Sequence, residues 1–286
     1  MPTTSILSGR HLASMRAFLE THIDVSSLML SNLLSAGVVD HGLPFQATYA
    51  GSIDGDRVVA VAAHCWNGSL LLQAPVHLGE VVHLATESSG RSVTGIQGPW
   101  SQVVDARDAL GLTNTPAPTS NRDVLYSLEL EAWSVPPLRP GLALMSPESL
   151  PEPVLIEWRV AFLREALAFP ESPELRARAT REMQQTLAAG RLRVLAEHGR
   201  PVAMLAFIGR LPNLVHIGGV WVPPAERGHS YGRALFTLAL ESERREGISR
   251  AVLSADPANT PACRLYEGLG FRAVGDYGIV VFASAA

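Results

Sequence analysis

Lysine is missing from this chain, because all 23 basic residues are arginines. Its absence excludes catalysis through a lysine Schiff base or a lysine nucleophile. Cysteine is scarce: Cys65 and Cys263 lie far apart in sequence and indicate reduced thiols, not a disulfide framework or a metal site. An excess of positive charge is lacking too, since the net charge is -4. We therefore expect no nucleic-acid partner, which would normally require a basic patch.

Long hydrophobic runs are also absent. No stretch reaches the roughly 18 apolar residues of a membrane-spanning helix, and the first 20 residues lack the apolar centre of a signal peptide. We expect a cytoplasmic protein without a membrane partner. What the chain does contain is 47% hydrophobic and only 17% charged residues over 286 positions. This composition is typical of well-packed globular structure, and the length suffices for two domains.

The segment 220–241 changes from strand to helix character across a short turn. Residues 220–222 favour a strand, the two prolines that follow exclude a helix, and the apolar spacing from Tyr231 onward predicts a helix with one buried face. A glycine-containing loop that opens onto a helix N-terminus is a typical anion site, because unpaired N–H groups and the helix dipole attract negative charge. We therefore predict a phosphate-binding loop at residues 227–232.

This loop matches neither GxxxxGK[ST] nor GxGxxG. It resembles the pyrophosphate loop of the Gcn5-related N-acetyltransferases (GNAT), written [RQ]xxGx[GA]. The matching residues are Arg227, Gly228, His229, Ser230, Tyr231 and Gly232. Ser230 stands where the family has its middle glycine, so it requires a negative φ or a strained backbone.

A second match lies downstream, within residues 256–271. The family places an asparagine after its fifth strand, a tyrosine on the next helix, and a glycine and phenylalanine before the following strand. The matching residues are Asn259, Tyr266, Gly270 and Phe271. Asn259 and Tyr266 are about two helical turns apart, so both side chains can face one ligand. The resemblance covers roughly residues 153–282, about half of the chain.

The resemblance implies acetyl-CoA, or another acyl-CoA, as co-substrate. Its pyrophosphate would bind the N–H groups of residues 228–232, and its pantetheine arm would pair with the strand near residues 219–222. The pair Gly218 and Gly219 suits that role, because glycines favour a bulge or a close backbone approach. The implied cofactor-binding residues are Gly219, Val220, Trp221, Val222, Arg227, Gly228, His229, Ser230, Tyr231, Gly232, Arg233 and Asn259. Three of these have structural alternatives: Arg227 as a solvated loop residue, Asn259 as a helix N-cap, and Gly219, together with Gly218, as a residue that simply packs against a large neighbour.

For catalysis, the resemblance implies that Tyr266 is the general acid that protonates the departing thiolate. Its alternative is a place in the hydrophobic core. The candidate for the general base is His216, which lies on the strand before the glycine pair and titrates in a suitable range. Weaker candidates for the base are Glu157, Glu182 and His198, and ordered water could replace a single base.

The chain also contains an internal repeat of about 140 residues, each copy with two helices, a hairpin, a third strand, a helix, a strand, a helix and a strand. In the first copy, residues 10–36 have the periodicity of two helices that end at Gly37, and a hairpin is predicted around the turn at residues 54–56. In the second copy, a final strand pair is predicted near residues 271–282.

A proline-rich segment at residues 134–153 is predicted to be a linker. We therefore predict two α/β (α+β) domains of GNAT type, each with a mixed, mostly antiparallel sheet flanked by helices. Residues 1–133 would be a degenerate copy that covers the catalytic half, and residues 154–286 the catalytic domain. An unrelated α/β domain is the alternative for residues 1–133.

These observations predict an acyl-CoA-dependent N-acetyltransferase that moves an acetyl group directly to an amine of a small acceptor. The expected oligomeric state is a monomer or a homodimer. Two other functions stay open: a non-catalytic acyl-CoA binding or sensing protein, and an interaction scaffold that binds no CoA.

Overall fold

The computed structural model describes residues 2–283. Contacts divide this part of the chain into two compact units. One comprises the described residues up to Leu125 together with those from Val274 onward, and the other comprises Tyr126–Ala273. This division differs from the predicted one, which placed the boundary in the proline-rich segment 134–153. The difference arises because two long strands, described below, pass from one unit into the other.

The first half of the chain alternates strands and helices. Its elements are β1 (Thr3–Ile6), α1 (Leu12–Thr21), α2 (Ile23–Ala36), β2 (Ala47–Asp54), β3 (Arg57–Cys65), β4 (Ser69–Gln73), α3 (Leu78–Ser89), β5 (Gly95–Gly98), α4 (Trp100–Ala109) and β6 (Thr119–Glu129). Two helices end at a glycine. Gly37 follows α2 and Gly90 follows α3, and both glycines have a positive φ, which ends a helix.

The second half repeats the same order. Its elements are β7 (Leu142–Met145), α5 (Glu152–Leu167), α6 (Pro173–Ala188), β8 (Leu192–Glu197), β9 (Arg200–Arg210), β10 (Leu214–Trp221), α7 (Tyr231–Arg245), β11 (Arg250–Ala255), α8 (Thr260–Leu269) and β12 (Arg272–Val281). Strand β7 lies inside the segment that was predicted to be a linker.

The two halves also share their strand pairing. Strands β1, β2, β3 and β4 pair antiparallel in sequence order, and β4 pairs parallel with β5. Strands β7, β8, β9 and β10 pair antiparallel in the same way, and β10 pairs parallel with β11. The predicted repeat and the mixed, mostly antiparallel sheets with flanking helices are confirmed.

The last strand corrects one prediction. The sequence suggested a final strand pair near residues 271–282 within the catalytic half, but β12 is a single strand. From Gly278 to Val281 it pairs antiparallel with β5 of the first unit. Gly278 lets α4 pack closely on this strand, since a Cβ there would lie 2.8 Å from the side chain of Val103 on α4. The residues of β12 from Val274 onward therefore belong to the first unit.

Apolar side chains hold α5 and α6 against the sheet of the second unit. Leu155 on α5 and Met183 on α6 pack with Met204 on β9 and with Trp221 at the end of β10. Burial of side chains of this size contributes about 1.5–3 kcal/mol each relative to exposure. This packing fixes both helices beside the end of β10, where the candidate site lies.

Two kinds of feature are absent from the described residues 2–283. No helix there combines the length and the apolar character needed to cross a membrane. No group of three or more His, Cys, Asp or Glu side chains there is arranged to hold a metal ion.

Candidate active site

The second unit has a gap between two parallel strands. The register of β10 with β11 runs from Leu214, opposite Arg250, to His216, opposite Val252, although both strands continue beyond these pairs. On its other side, β10 pairs with β9 but bulges between Gly218 and Trp221. The glycine pair predicted a bulge or a close approach, and Gly219 has φ +58° at this bulge. Gly218 shows the alternative, since a Cβ on it would lie 2.9 Å from the side chain of Ile208. A backbone edge that parts from its neighbour in this way can accept an extended ligand as an additional strand.

The chain leaves β10 through a loop that leads into the N-terminus of α7. In this loop Gly228 has φ +83°, and a Cβ placed on it would meet no atom within 4 Å. Residues 228–230 are exposed, and the side chain of Ser230, the N-cap residue, makes no capping hydrogen bond. The loop is therefore open to solvent beside the uncapped first turn of α7. Both features suit a pyrophosphate group, which binds helix N-terminal amides.

Ser230 adopts a strained backbone conformation. Its φ of +61° and ψ of 19° lie in the left-handed region, which disfavours residues other than glycine by about 1–2 kcal/mol. Of the two possibilities that the sequence left open, the structure has the strained one. The serine thus keeps the loop shape that the family's glycine would adopt without strain.

We expect that Ser230→Gly raises the free energy of unfolding by about 0.5–1 kcal/mol, because it relieves this strain. Urea denaturation of the purified protein measures the change. The control is Ala225→Gly, which changes an exposed residue of the same loop that lacks a positive φ and should lower stability or leave it unchanged. Equal effects of both substitutions would contradict the strain argument.

Arg227 does not point into the open loop. Its Nη2 donates to Glu165 on α5 at 2.9 Å, its Nε donates to the carbonyl of Val222 at 3.1 Å, and its guanidinium lies 5.1 Å from the ring centroid of Trp221. Both partners of the ion pair are about half exposed, with side-chain exposures of 44% and 51%. Arg227 therefore lies beside the loop, in an ion pair that an incoming anion can compete with.

A second polar cluster supports the loop from the other side. The hydroxyl of Tyr231 and the guanidinium of Arg139 both donate to the carboxylate of Glu197. The hydrogen bond from Tyr231 lowers the pKa of Glu197, and the same bond raises the pKa of Tyr231. Arg139 also donates to the carbonyl of His229 at 3.2 Å and lies 5.1 Å from the centroid of the Tyr231 ring.

This cluster changes the interpretation of two predicted phosphate contacts. The Tyr231 hydroxyl is engaged by Glu197, and the ring of His229 stacks on that of Tyr231 with centroids 5.6 Å apart. Arg139, which lies in the predicted linker, was missed as a residue that contacts the loop. No sequence signal could have identified it, because Arg139 and His229 lie 90 residues apart in the chain.

The remaining residues of the motif join α7 to α8. A Cβ on Gly232 would lie 3.0 Å from the side chain of Leu265, so glycine allows the two helices to approach closely. Arg233 donates to the carbonyl of Gly268 at 3.1 Å. Asn259 is the N-cap of α8, because its side chain accepts a hydrogen bond from the amide of Ala262 at 3.3 Å. The structural alternative for Asn259 is thus realised, and its exposed position is compatible with ligand binding as well.

Tyr266 follows Leu265 on α8 and is 7% exposed. Its ring contacts those of Phe236 on α7, Phe271 and Tyr126, with centroids between 5.3 and 6.1 Å apart. The hydroxyl of Tyr126 donates to Glu267 at 3.1 Å, and burial raises its pKa. The ring of Tyr266 thus occupies a place in the core, as its structural alternative predicted, and the aromatic contacts hold it in one position beside α7.

The candidates for a general base lie in unfavourable places. His216 is 3% exposed, and burial lowers its pKa to about 4, which makes it a weak base. Glu157 is paired with Arg176, and His198 lies in the exposed hairpin turn between β8 and β9. Glu182 accepts hydrogen bonds from Arg159 and Arg178. Their positions favour the remaining alternative, proton removal through water.

The first unit lacks the corresponding features. Its turn from β4 to α3 has only four residues, 74–77, and contains no arginine or glycine. The register of β4 with β5 also covers three pairs and ends at Leu71, opposite Gln97, but a Cβ on Gly98 would lie 2.7 Å from the carbonyl oxygen of Leu72, so these strands stay close for one more residue. This unit is a copy of the fold without the loop.

Comparison with known proteins agrees with this geometry. A family model described as the acetyltransferase (GNAT) family matches residues 155–271. A UPF0039 protein of Schizosaccharomyces pombe is 32% identical over 124 residues, which are 43% of this chain and 74% of that protein. A mycothiol acetyltransferase of Thermobispora bispora is 50% identical over 52 residues, 18% of each chain. The match therefore spans less than a fifth of the mycothiol acetyltransferase.

Among solved structures, a tandem GNAT protein from the clavulanic acid biosynthesis pathway is similar over 100% of this chain and 99% of its own. The TM-score is 0.56 and the sequence identity is 15%. At this identity the similarity shows the fold alone. It extends over both halves of the chain, as expected for a tandem arrangement.

Proposed function

The chain belongs to the Gcn5-related N-acetyltransferase family, and from this premise we propose that it transfers an acetyl group from acetyl-CoA to an amine of a small acceptor. The observation that carries the proposal is the open loop at Gly228, which leads into the uncapped N-terminus of α7 next to the gap between β10 and β11. Several relatives are named mycothiol acetyltransferase, which supports acetyl transfer in general.

In the proposed complex, the amides of residues 228–232 bind the pyrophosphate. The backbone of β10 at residues 219–222 pairs with the pantetheine arm, since this edge has parted from β11. These contacts place the thioester near the bulge at Gly219. Acetyl-CoA supplies an activated acetyl group, which an uncharged amine can attack without a covalent enzyme intermediate.

The proton balance assigns a role to Tyr266. The amine nitrogen forms a bond to the thioester carbonyl carbon, the carbon–sulfur bond breaks, and the sulfur leaves with the phenolic proton of Tyr266. The proton that the amine loses passes to water, and Tyr266 is reprotonated from solvent. A phenol with a pKa near 10 can protonate a thiolate whose thiol has a pKa near 8.5 only if the two groups lie within hydrogen-bond distance. The fixed position of the ring between Phe236 and Phe271 favours such alignment.

Calorimetric titration with acetyl-CoA tests the binding step. We expect Arg227→Glu to weaken acetyl-CoA binding about tenfold or more, because it replaces a cation beside the pyrophosphate by an anion. The control is Arg176→Glu, which reverses the charge of a similarly exposed arginine that forms a different ion pair, with Glu157. This variant should bind acetyl-CoA with unchanged affinity.

The transfer step is measured by incubating the protein with acetyl-CoA and a panel of amines and detecting the free thiol of CoA. Release that depends on one class of amine would support the proposal. If the wild type does not bind acetyl-CoA, both the transferase and the sensing function are excluded. Binding without release for any amine would favour the non-catalytic binding protein.

A further inference from the structure

Two arginines and one glutamate form a cluster on the helices that cover the end of β10. Arg159 on α5 donates through Nε and Nη2 to Glu182 on α6, at 3.0 and 2.7 Å. Arg178, also on α6, donates to the other carboxylate oxygen of Glu182 at 2.7 Å. The two guanidinium groups are held against aromatic rings, Arg159 at 5.0 Å from the centroid of Phe162 and Arg178 at 4.6 Å from that of Phe169.

Arg159 reaches from this cluster to the bulge of β10. A Cβ placed on Gly219 would lie 3.0 Å from Nη1 of Arg159, and Ala206 on β9 is the other side chain near that position. Gly219 lies beyond His216, where the register of β10 with β11 ends. The side chain of Arg159 is 19% exposed. Its guanidinium therefore lies beside the part of β10 that no longer pairs with β11, on the side of the sheet that α5 covers.

The charges of the cluster do not cancel. Two guanidinium groups face one carboxylate, and both oxygens of Glu182 are already engaged by them. Burial alone would raise the pKa of Glu182, but the two arginines lower it, so the group is ionised at neutral pH. One positive charge thus remains. A guanidinium has five N–H donors, and the bonds to Glu182 use Nε and Nη2 of Arg159 while Nη1 faces Gly219.

Resting on the proposed function, we propose that the acceptor is an amino acid-like amine whose carboxylate binds Arg159 beside Gly219. The carboxylate would neutralise the remaining charge of the cluster and hold the amine next to the thioester. Guanidinium and carboxylate groups form charge-assisted hydrogen bonds, which are stronger than those between neutral groups. Polycationic amines are disfavoured by the same positive charge.

Product binding tests this proposal without requiring turnover. The probes are N-acetylglycine and N-acetylalanine, each paired with its carboxamide, titrated by calorimetry into the protein saturated with CoA. We expect the acids to bind at least about tenfold more tightly than the amides, the ratio that one charge-assisted bond provides. Arg159→Met should bring this ratio close to one. The control is Arg176→Met, which removes a guanidinium from the same helix, α6, but from the separate ion pair with Glu157, and should retain the preference for the acids.

Each outcome is decisive. Equal affinity of acids and amides for the wild type, or no binding of either, would overturn the proposal, as would a preference that survives in Arg159→Met. Loss of the preference in both arginine variants would also overturn it, because it would indicate a general effect of positive charge on this surface. Titration of acetyl-CoA into the same three proteins separates this result from the proposed function. Acetyl-CoA binding without a preference for acids leaves the transferase function intact, whereas failure of the wild type to bind acetyl-CoA removes its basis.

Discussion

Replacing Tyr266 by phenylalanine is expected to lower kcat by about 10²- to 10⁴-fold, the usual contribution of a general acid, without changing the affinity for acetyl-CoA. The substitution removes only the hydroxyl group. The ring contacts with Phe236, Phe271 and Tyr126 do not involve that group, so the fold around α8 should be retained. Steady-state kinetics with the best amine and calorimetry with acetyl-CoA measure the two quantities.

Tyr126→Phe is the matched control for this prediction. It makes the same chemical change on a ring 6.0 Å away, whose hydroxyl donates to Glu267. We expect kcat to stay close to the wild-type value. An unchanged kcat in Tyr266→Phe would assign the acid elsewhere, and a large decrease in Tyr126→Phe alone would point to the neighbouring tyrosine.

Replacing Gly228 by aspartate is expected to weaken acetyl-CoA binding about 100-fold or more. The carboxylate would lie in the loop that binds the pyrophosphate, where repulsion between like charges opposes binding. The structure allows the substitution, because a Cβ at this position meets no atom within 4 Å. Asparagine and aspartate are also the residues other than glycine that best tolerate a positive φ, here +83°.

Gly228→Asn provides the control because asparagine has the same shape without the charge. Calorimetry should give an affinity for acetyl-CoA much closer to that of the wild type than to that of the aspartate variant. Equal losses in both variants would indicate steric exclusion or strain. Wild-type affinity in Gly228→Asp would show that the pyrophosphate binds elsewhere.

The repeat was predictable because its signals are local. The helical periodicity of residues 10–36, with Gly37 as the stop, corresponds to α1 and α2, and the Asp54–Asp56 turn corresponds to the hairpin of β2 and β3. Strands β1 and β7 were missed, since each has only four residues and is defined by pairing with a longer neighbour. The pairing of β12 with β5 joins residues about 180 positions apart, and no local pattern encodes such a choice.

For the site, the sequence predicted the backbone better than the side chains. A glycine requirement is visible in the residue itself, so the loop at Gly228 and the bulge at Gly219 were anticipated. Side-chain partners come from other elements. Glu165 on α5 turns Arg227 away from the loop, and burial in the sheet lowers the basicity of His216. Neither effect can be read from the motif.

The amide signals of the loop provide the most direct test of the central claim, which is that residues 228–232 bind the pyrophosphate of acetyl-CoA. The measurement is a series of nitrogen–proton correlation spectra of the isotope-labelled protein during titration with acetyl-CoA. We predict that the largest shifts occur at residues 228–232 and at residues 219–222 at the end of β10, while the signals of α1 and α2 stay in place. Absence of shifts at residues 228–232, or shifts concentrated in the turn 74–77 of the first unit, would contradict the account.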